Sequence, residues 1–378
     1  MKTRAAVLRE IGRRPPFAES TPLTIEEVEL DGPGPGEVLV RVVAAGLCHS
    51  DLSVADGARP RPVPMVLGHE AAGIVEALGP GVTELTEGDR VVCSYLPSCG
   101  MCAECAGGRP VLCATAQAAN REARLVTGRR PFTDADGAAL HQHLGVSAFA
   151  EHTVMSPRSL IKVPDDVPLE VAAVFGCAVL TGVGAVLNTA DVRPGDSVAV
   201  FGLGGVGLSA VMGAALAGAW PIVAVDLVED KLALARELGA HHTVRAGEGN
   251  EVDQIRELTG GGVQWAVEAA GSARVLELCY AALRAGGTAV AAGLPHPNQD
   301  FTVKAVTLVA EEKTVKGSYM GSAAPRRDLP RLFDLYRAGR LPVDKLLTRR
   351  NVGFDDLNEA LDRLHTGTEV RQLLEPQA

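Results

Sequence analysis

Four of the eight cysteines in the 378-residue chain lie in one short segment, CGMCAECAGGRPVLC, residues 99–113. Cys99, Cys102 and Cys105 are separated by two residues each, and Cys113 follows after seven. Such short gaps let neighbouring thiolates point at one centre, which favours a metal site. Four thiolates leave no open coordination position, so the segment predicts a structural zinc site. A redox CxxC pair or simple buried thiols are the alternatives.

Three further segments carry zinc-ligand residue types, and each places one where an apolar or glycine-bearing run meets a turn. They are GLCHSD (46–51), LGHEAAG (67–73) and FGCAVLTGVG (175–184). Cys48, His69 and Cys177 would form a Cys2His set with one open position, the pattern of a catalytic zinc site. Single histidines and buried cysteines are more often packing residues, and nothing in the spacing alone brings these three together.

The strongest cofactor signal follows a buried apolar run at 197–201. The glycine-rich sequence GLGGVG opens an apolar helix, a second strand-like run covers 221–225, and an acidic residue ends it. This arrangement predicts a dinucleotide-binding βαβ unit that favours NAD over NADP, because the acid would bind ribose hydroxyls and repel a 2′-phosphate. The alternative is a glycine turn that serves packing only. The residues concerned are Gly202, Gly204, Gly205, Val206, Gly207 and Asp226.

The elements that must position these residues differ between two parts of the chain. Residues 30–155 alternate in hydrophobicity between many Gly and Pro turns, which predicts an irregular antiparallel barrel. Strand and helix patterns then alternate from about 197 to 320, which predicts a doubly wound parallel sheet. We therefore expect an α/β plus β fold. The predicted domains are a catalytic domain of residues 1–178 and 322–378, which holds both zinc sites, and a nucleotide-binding domain of residues 179–321.

Composition limits the partners. The formal net charge is −10, which argues against nucleic acid or an anionic membrane as a partner. The charge-free run from Ser197 to Val225 is long enough to raise a transmembrane interpretation, but its glycines and Trp220-Pro221 fit a buried strand–helix–strand better. The N-terminal sequence has no apolar run typical of a secretory signal, so a reducing, cytoplasmic location is expected.

With these residues in place, the chain resembles the zinc-dependent medium-chain alcohol dehydrogenases over nearly its full length. The spacing between Cys113 and His141 is more similar to the long, liver-type branch, which implies a homodimer, with a homotetramer as an alternative. The resemblance implies a Rossmann domain inserted in a GroES-like barrel, one catalytic and one structural zinc, and NAD. It rests on GLCHSD, GHEAAGIVEALGPGV, GDRVV, the four-cysteine segment, LGVSAFAEHTV, GCAVLTGVGAVLNTA, GLGGVG with Asp226, and VRQLL.

The resemblance also implies a role for each matching residue. Cys48, His69 and Cys177 look like ligands of the catalytic zinc, with Glu70 as a carboxylate behind the metal that can also coordinate it. Asp51 looks like the acid that orients the His69 ring, and Ser50 like the hydroxyl that takes the proton of the alcohol. An alcohol would then pass hydride to NAD and become an aldehyde or ketone. The residues that match cofactor-contacting positions are His49, Thr181, Lys231, Gly293 and Arg371.

Two positions depart from the family pattern. Ser53 stands where liver-type enzymes carry the histidine that ends the proton relay, so the relay is expected to run to water or through His49. His143 stands where the substrate pocket often carries a large apolar residue. A polar tip there would favour a substrate with an oxygen or ring nitrogen, and the competing interpretation is that His143 points to solvent. Tyr95 is a further candidate for the pocket lining.

The sequence is also compatible with other functions. A glutathione-linked formaldehyde dehydrogenase would need a basic anion pocket that the sequence does not locate. A nicotinoprotein alcohol dehydrogenase would keep its NAD permanently bound. A catalytically silent zinc and nucleotide protein would be expected to have lost a catalytic ligand, whereas all are present. Among the remaining residues, Cys93 and Cys279 are expected to be buried packing thiols, and His241-His242 to lie on a surface turn.

Overall fold

The computed structural model describes residues 1–377, and for residues 349–351 it describes the backbone alone. The chain forms two compact units. The first contains Met1–Cys177, Ala324–Asp334 and the chain from Leu347 onward, and the second contains Ala178–Ala323 and Leu335–Leu346. The segment 335–346, which the sequence analysis assigned to the first domain, therefore packs with the second unit.

The first unit consists of β-strands with short helices between them. Along β1, Lys2 and Arg4 are exposed, whereas Thr3 and residues 5–8 are buried, so the second half of the strand is buried on both faces. Its strands are β1 Lys2–Leu8, β2 Leu23–Leu30, β3 Val38–Leu47, β4 Met65–Val66, β5 Ala71–Leu78, β6 Arg90–Cys93, β7 Phe132–Thr133, β8 His141–Gln142, β9 His152–Met155, β10 Leu160–Lys162, β17 Leu347–Val352 and β18 Arg371–Leu374. Its helices are α1 Phe17–Ser20, α2 His49–Ala55, α3 Ala103–Ala106, α4 Ala114–Arg121, α5 Leu169–Ala172 and α13 Leu357–Thr366, and α12 Pro325–Arg337 begins here.

These strands form two sheets. One has the order β7-β2-β1-β4-β8, and the other has the order β10-β6-β5-β3-β18-β17, with β9 also paired to β3. Most pairs are antiparallel, and the exceptions are β4–β8 and β17–β18. The long strand β3 runs antiparallel to β5, β9 and β18, so three distant segments of the chain meet along it. The predicted irregular, mainly antiparallel β unit is confirmed.

The second unit is a parallel sheet with helices in its connections. Its strands are β11 Val198–Phe201, β12 Ile222–Asp226, β13 His242–Arg245, β14 Val263–Glu268, β15 Leu283–Ala291 and β16 Thr314–Gly317. Its helices are α6 Ala178–Gly184, α7 Gly205–Leu216, α8 Glu229–Glu237, α9 Glu251–Thr259, α10 Ala273–Ala281 and α11 Ala305–Ala310. The sheet order β13-β12-β11-β14-β15-β16 is that of a Rossmann fold. The predicted doubly wound domain is therefore confirmed.

The charge-free run at 197–225 forms β11, α7 and β12, as the glycine and proline pattern indicated. Its strands are buried because parallel strands are covered on both faces. Within the described chain no single helix is both long and apolar enough to cross a membrane, and only the bent pair Leu169–Gly176 and Ala178–Ala190 reaches that length together. The surface turn predicted for His241-His242 is wrong for His242, which begins β13 and pairs with Val223, whereas His241 is exposed in the bend before that strand.

Candidate metal and dinucleotide sites

The three predicted catalytic ligands come from three separate segments of the first unit. Cys48 directly follows β3 and caps the N-terminus of α2. His69 lies in the short loop between β4 and β5, and Cys177 follows the helical turn at 173–176. All three are buried, with 7, 1 and 7% of their surface exposed. The pairing along β3 brings the first two segments together, which the spacing in the sequence could not indicate.

The ligand atoms of Cys48, His69, Glu70 and Cys177 all lie within 4.8 Å of one another. A hydrogen bond from Cys177 lowers the pKa of the Cys48 thiol far below its usual value, and the same bond raises that of Cys177. A cation bound between the two sulfurs would take the place of the proton in this hydrogen bond. Two thiols, one imidazole and a nearby carboxylate match the donor set of a catalytic zinc site. The residues therefore fit a zinc ion.

Glu70 supports this fit because its carboxylate is fully buried and neither oxygen accepts a hydrogen bond. The Arg371 guanidinium lies beside it, with Nη2 3.7 Å from Glu70 Oε2. Burial raises the pKa of Glu70 to about 7, and Arg371 opposes that rise. Arg371 is itself buried and donates through Nη1 to the Leu47 carbonyl oxygen at 3.0 Å. A carboxylate without donors beside a ligand cluster can move toward a bound metal or tune it.

Asp51 holds the His69 ring. Its Oδ1 lies 3.0 Å from His69 Nδ1, and its Oδ2 accepts the Cys48 backbone N–H at 3.0 Å. Burial would lower the pKa of His69, but the Asp51 carboxylate raises it well above its usual value. Because Nδ1 is committed to Asp51, the other ring nitrogen, Nε2, is available to a metal. Asp51 thus both caps the N-terminus of α2 and orients the ring of the candidate metal ligand His69.

His143 is buried with 1% of its surface exposed, so the interpretation that it points to solvent is wrong. Its Nδ1 lies 3.2 Å from Asp51 Oδ1, and its ring stands edge-on to His69 with centroids 5.3 Å apart. Tyr95 packs edge-on against His69 as well, at 5.4 Å. The two candidate pocket residues therefore lie next to a candidate zinc ligand.

The residues of the proposed proton path lie at the start of α2. Ser50 and Ser53 are half-buried, and His49 is exposed. The Ser53 hydroxyl donates to the His49 carbonyl oxygen at 2.9 Å, which is an ordinary helix contact. Ser53 therefore satisfies its own donor locally and offers no base where the liver-type enzymes carry histidine.

The four-cysteine segment folds back on itself. Its four sulfurs lie within 4.8 Å of one another, with Cys99 Sγ 4.0 Å from Cys105 Sγ. Four thiolates at about 2.3 Å from one tetrahedral ion stand just under 4 Å apart, so the spacing fits zinc. Backbone N–H groups point at the sulfurs, because Cys102 N–H donates to Cys99 Sγ and Cys99 N–H to Cys113 Sγ. The segment carries little regular structure of its own.

The glycine motif of the second unit joins β11 to α7. A methyl carbon at Gly207 would lie 1.7 Å from the Gly202 carbonyl oxygen, so only glycine lets the helix approach the turn this closely. At Gly204, which caps α7, a methyl carbon would have no heavy atom within 4 Å. The N-terminus of α7 therefore presents backbone N–H groups next to open space, as a pyrophosphate site requires.

Asp226 ends β12, as the sequence predicted. Its Oδ2 accepts the Leu203 backbone N–H at 2.6 Å, and its Oδ1 accepts that of Val228 at 2.9 Å. These bonds fix a half-buried carboxylate beside the glycine turn. Lys231 lies on α8, the next helix, and is also half-buried, whereas Thr181 is buried on α6. Gly293 follows β15, with the Glu268 carboxylate and Gly271 packed against it.

Asn120 was missed by the sequence analysis. It is buried on α4, and its amide donates to the Tyr95 carbonyl oxygen at 2.8 Å. It thereby fixes the backbone of a residue that contacts His69. No sequence signal marks it, because the surrounding ATAQAANR segment reads as an ordinary polar helix. Cys93 and Cys279 are buried, as expected.

Comparisons with known proteins identify the family. The family model "Alcohol dehydrogenase GroES-like domain" matches residues 34–165, and "Zinc-binding dehydrogenase" matches residues 205–338. The chain belongs to the zinc-dependent medium-chain alcohol dehydrogenases. This family interconverts alcohols with aldehydes or ketones, and its members act on small molecules.

Individual relatives match over the whole chain. An NDMA-dependent alcohol dehydrogenase of Amycolatopsis methanolica is 39% identical, with 99% of both chains covered. A geraniol dehydrogenase of Castellaniella defragrans is 38% identical, with 99% of this chain and 98% of the relative covered. The crystal structure of benzyl alcohol dehydrogenase from Acinetobacter calcoaceticus superposes with a TM-score of 0.91 at 35% identity, with 99% of each chain covered.

Proposed function

We propose that this member of the family is an NAD-dependent alcohol dehydrogenase with one catalytic and one structural zinc ion per chain. The observation that carries the proposal is the meeting of Cys48, His69 and Cys177 in one buried cluster beside the Glu70 carboxylate, whose oxygens accept no hydrogen bond. Three protein ligands leave one coordination position for a substrate. A catalytically silent relative would have no need of that open position.

Each residue of the first unit has a chemical task in this proposal. A bound zinc ion supplies a Lewis acid that makes an alcohol hydroxyl more acidic, and NAD supplies the hydride acceptor. Cys48, His69 and Cys177 hold the ion, and Asp51 keeps the His69 ring in the required orientation. The Ser50 hydroxyl takes the substrate proton. Because Ser53 is committed to a backbone carbonyl, the proton passes on to water or to the exposed His49.

The second unit would bind NAD at the glycine turn. The pyrophosphate would lie at the N-terminus of α7, where Gly204 leaves room for it. The Asp226 carboxylate would accept hydrogen bonds from the adenosine ribose and repel the 2′-phosphate of NADP. Lys231, Thr181 and Gly293 are the further proposed contacts in this unit.

The four-cysteine cluster is proposed to bind zinc permanently. With all four positions taken by thiolates, the ion has no place for a substrate. It would stabilise a loop that has little hydrophobic core, because metal–thiolate bonds contribute to folding directly.

The substrate is proposed to be a primary alcohol whose carbinol carbon is attached to an unsaturated carbon. Two relatives are named for geraniol and benzyl alcohol, and both of these alcohols have that group. Tyr95 supports the assignment, since an aromatic side chain next to the candidate zinc ligand His69 offers a flat surface for such a substrate.

A second candidate is an enzyme that keeps its NAD bound and needs an added acceptor. The relative named as NDMA-dependent, 39% identical over 386 residues, favours it. Purified protein would then carry NAD after gel filtration. It would oxidise alcohols only with NDMA present.

The chain is also proposed to form a homodimer through the second unit. Strand β16 lies at the edge of the parallel sheet, and its four residues are all exposed. Apolar side chains are exposed in the same unit, including Val306 at 66% and Val309 at 80%. An unpaired edge with exposed apolar residues is a surface that a second copy can extend. Sedimentation should give a dimer for the wild type and a monomer for Val309→Lys.

The test of the enzymatic proposal is NADH formation from a panel of allylic, benzylic, short and long alcohols. We expect turnover on the allylic and benzylic members, inhibition by a zinc chelator, and loss of turnover in Cys48→Ser. Cys93→Ala, which changes a buried thiol outside the cluster, is the matched control and should remain active. Absence of turnover both with NAD and with NDMA would reject both candidates.

A further inference from the structure

We infer that His143 is a positioning residue that fixes the orientation of the metal ligand His69 through the Asp51 carboxylate they share. The inference rests on the proposed metal site of the first unit. It concerns a residue for which the family pattern provides no polar role, because that position often carries an apolar side chain.

Nitrogen atoms of two imidazole rings face the same oxygen atom of Asp51. Asp51 Oδ1 lies 3.0 Å from Nδ1 of His69 and 3.2 Å from Nδ1 of His143. Asp51 Oδ2 is taken by the Cys48 backbone N–H. Asp51 is fully buried, so bulk solvent does not reach its oxygens. Within the described part of the chain, the buried Nδ1 of His143 makes no conventional hydrogen bond, and this carboxylate is the polar group it faces.

The backbone of His143 is held by contacts that do not involve Asp51. Its backbone N–H donates to the Ser147 hydroxyl at 2.8 Å, and that hydroxyl donates to the Val66 carbonyl oxygen at 2.8 Å. The Val146 N–H closes a turn onto the His143 carbonyl oxygen at 3.0 Å. Strand β8, which ends just before His143, pairs with β4. The loop that carries His143 is thus fixed by its own backbone contacts, and the ring faces the Asp51 carboxylate from that fixed loop.

The chemistry of the groups gives the direction of the effect. A carboxylate only accepts hydrogen bonds, and a neutral imidazole donates from one nitrogen. With Nδ1–H on both rings, His143 and His69 can both donate to Asp51. His69 then keeps its Nε2 lone pair for the metal. Removing the His143 imidazole leaves Asp51 Oδ1 with one facing ring nitrogen, that of His69, instead of two, so the carboxylate and the His69 ring become less well fixed.

Simple packing is the competing explanation, since the two rings also touch edge to plane at 79°. The variants His143→Asn, His143→Gln and His143→Phe separate the two. The amide nitrogen of asparagine occupies the position of Nδ1, whereas that of glutamine extends toward the position of Nε2. Phenylalanine preserves the ring and removes both nitrogens.

The measurement is the zinc affinity of the purified protein by competition with a chelator, restricted to the zinc equivalent that Cys48→Ser lacks. Residues behind a metal ligand typically contribute tenfold to a hundredfold in affinity. We expect about tenfold weaker binding for His143→Phe and His143→Gln, and a change below about threefold for His143→Asn. The visible spectrum of the cobalt-substituted site should shift in the first two variants and match the wild type in the third.

Two results would overturn the inference. One is wild-type affinity and an unchanged cobalt spectrum in His143→Phe. The other is an equal loss in His143→Asn and His143→Gln, which would indicate that only the filled volume matters. If the wild type and Cys48→Ser hold the same amount of zinc, the proposed metal site itself is wrong, and that outcome is visible before any His143 variant is made.

Discussion

Replacing Gly207 with alanine tests whether the glycine motif is a geometric requirement of the second unit. A methyl carbon there would lie 1.7 Å from the Gly202 carbonyl oxygen. Ordinary contacts between heavy atoms begin at about 3.5 Å, so α7 or the turn would have to move by well over 1 Å. The obstacle is backbone rather than a flexible side chain, and it cannot rotate away.

The size of the effect follows from two opposing contributions. Forcing extra atoms into a packed site costs about 1–3 kcal/mol and sometimes more, and a backbone clash belongs at the upper end. Alanine gains about 1 kcal/mol over glycine inside a helix. We therefore expect Gly207→Ala to lower the free energy of unfolding by at least about 2 kcal/mol.

Gly204→Ala is the matched control in the same motif. It meets no heavy atom within 4 Å, and its φ of −74° is open to any residue. This substitution should lower the free energy of unfolding by less than about 1 kcal/mol, since it only replaces a glycine N-cap with the less favourable alanine. The same methyl group would occupy the proposed pyrophosphate position, so NAD affinity should fall about tenfold or more.

Urea unfolding and calorimetric NAD titration of both variants check these values. If Gly207→Ala is as stable as the wild type, the close approach of helix and turn is not a constraint. If Gly204→Ala binds NAD normally, the pyrophosphate does not lie at α7.

Three further predictions concern the first unit. In metal-free protein at pH 7.5, iodoacetamide should modify Cys99, because backbone hydrogen bonds lower the pKa of its thiol to about 6. It should spare Cys93, because burial raises the pKa of that thiol to about 12. Equal labelling of the two cysteines by mass spectrometry would contradict this prediction. Burial raises the pKa of Glu70 to about 7, so the folded metal-free protein binds a proton more tightly than the unfolded chain does. Its stability should therefore fall by up to about 3 kcal/mol as the pH rises from about 4.5 past 7, and the fall should be smaller in Glu70→Gln when both are unfolded in urea across that range. Ser53→His should add a histidine step to the pH dependence of alcohol oxidation, and an unchanged profile would argue against a relay that lacks this base.

The dinucleotide unit could be predicted from sequence because its signals are local. The strand at 197–201, the glycine turn and the acid at 226 follow one another, and each has one structural meaning. The same reasoning placed the histidine pair at 241–242 on a surface turn, although His242 begins a strand. His242 is only half-buried because β13 lies at the edge of the sheet, and a polar doublet on an edge strand looks like a turn.

The candidate metal centre could not be predicted from spacing, because its ligands meet only through the pairing of β3 with β5 and the turn before Cys177. The family resemblance, not periodicity, indicated that set. The orientation of His143 was equally hidden. It depends on a turn in which Leu144 and Ser147 adopt positive φ values of 52° and 51°, which neither residue type favours in isolation.

The most direct test of the account is the zinc content of the purified wild type, Cys48→Ser and Cys99→Ser, measured together with alcohol oxidation. We predict two zinc ions per chain in the wild type and one in Cys48→Ser, which should remain folded and inactive. Cys99→Ser should lose the other ion and unfold at a lower temperature. A Cys48→Ser protein that keeps both ions and oxidises alcohols at the wild-type rate would contradict the assignment of the catalytic metal site.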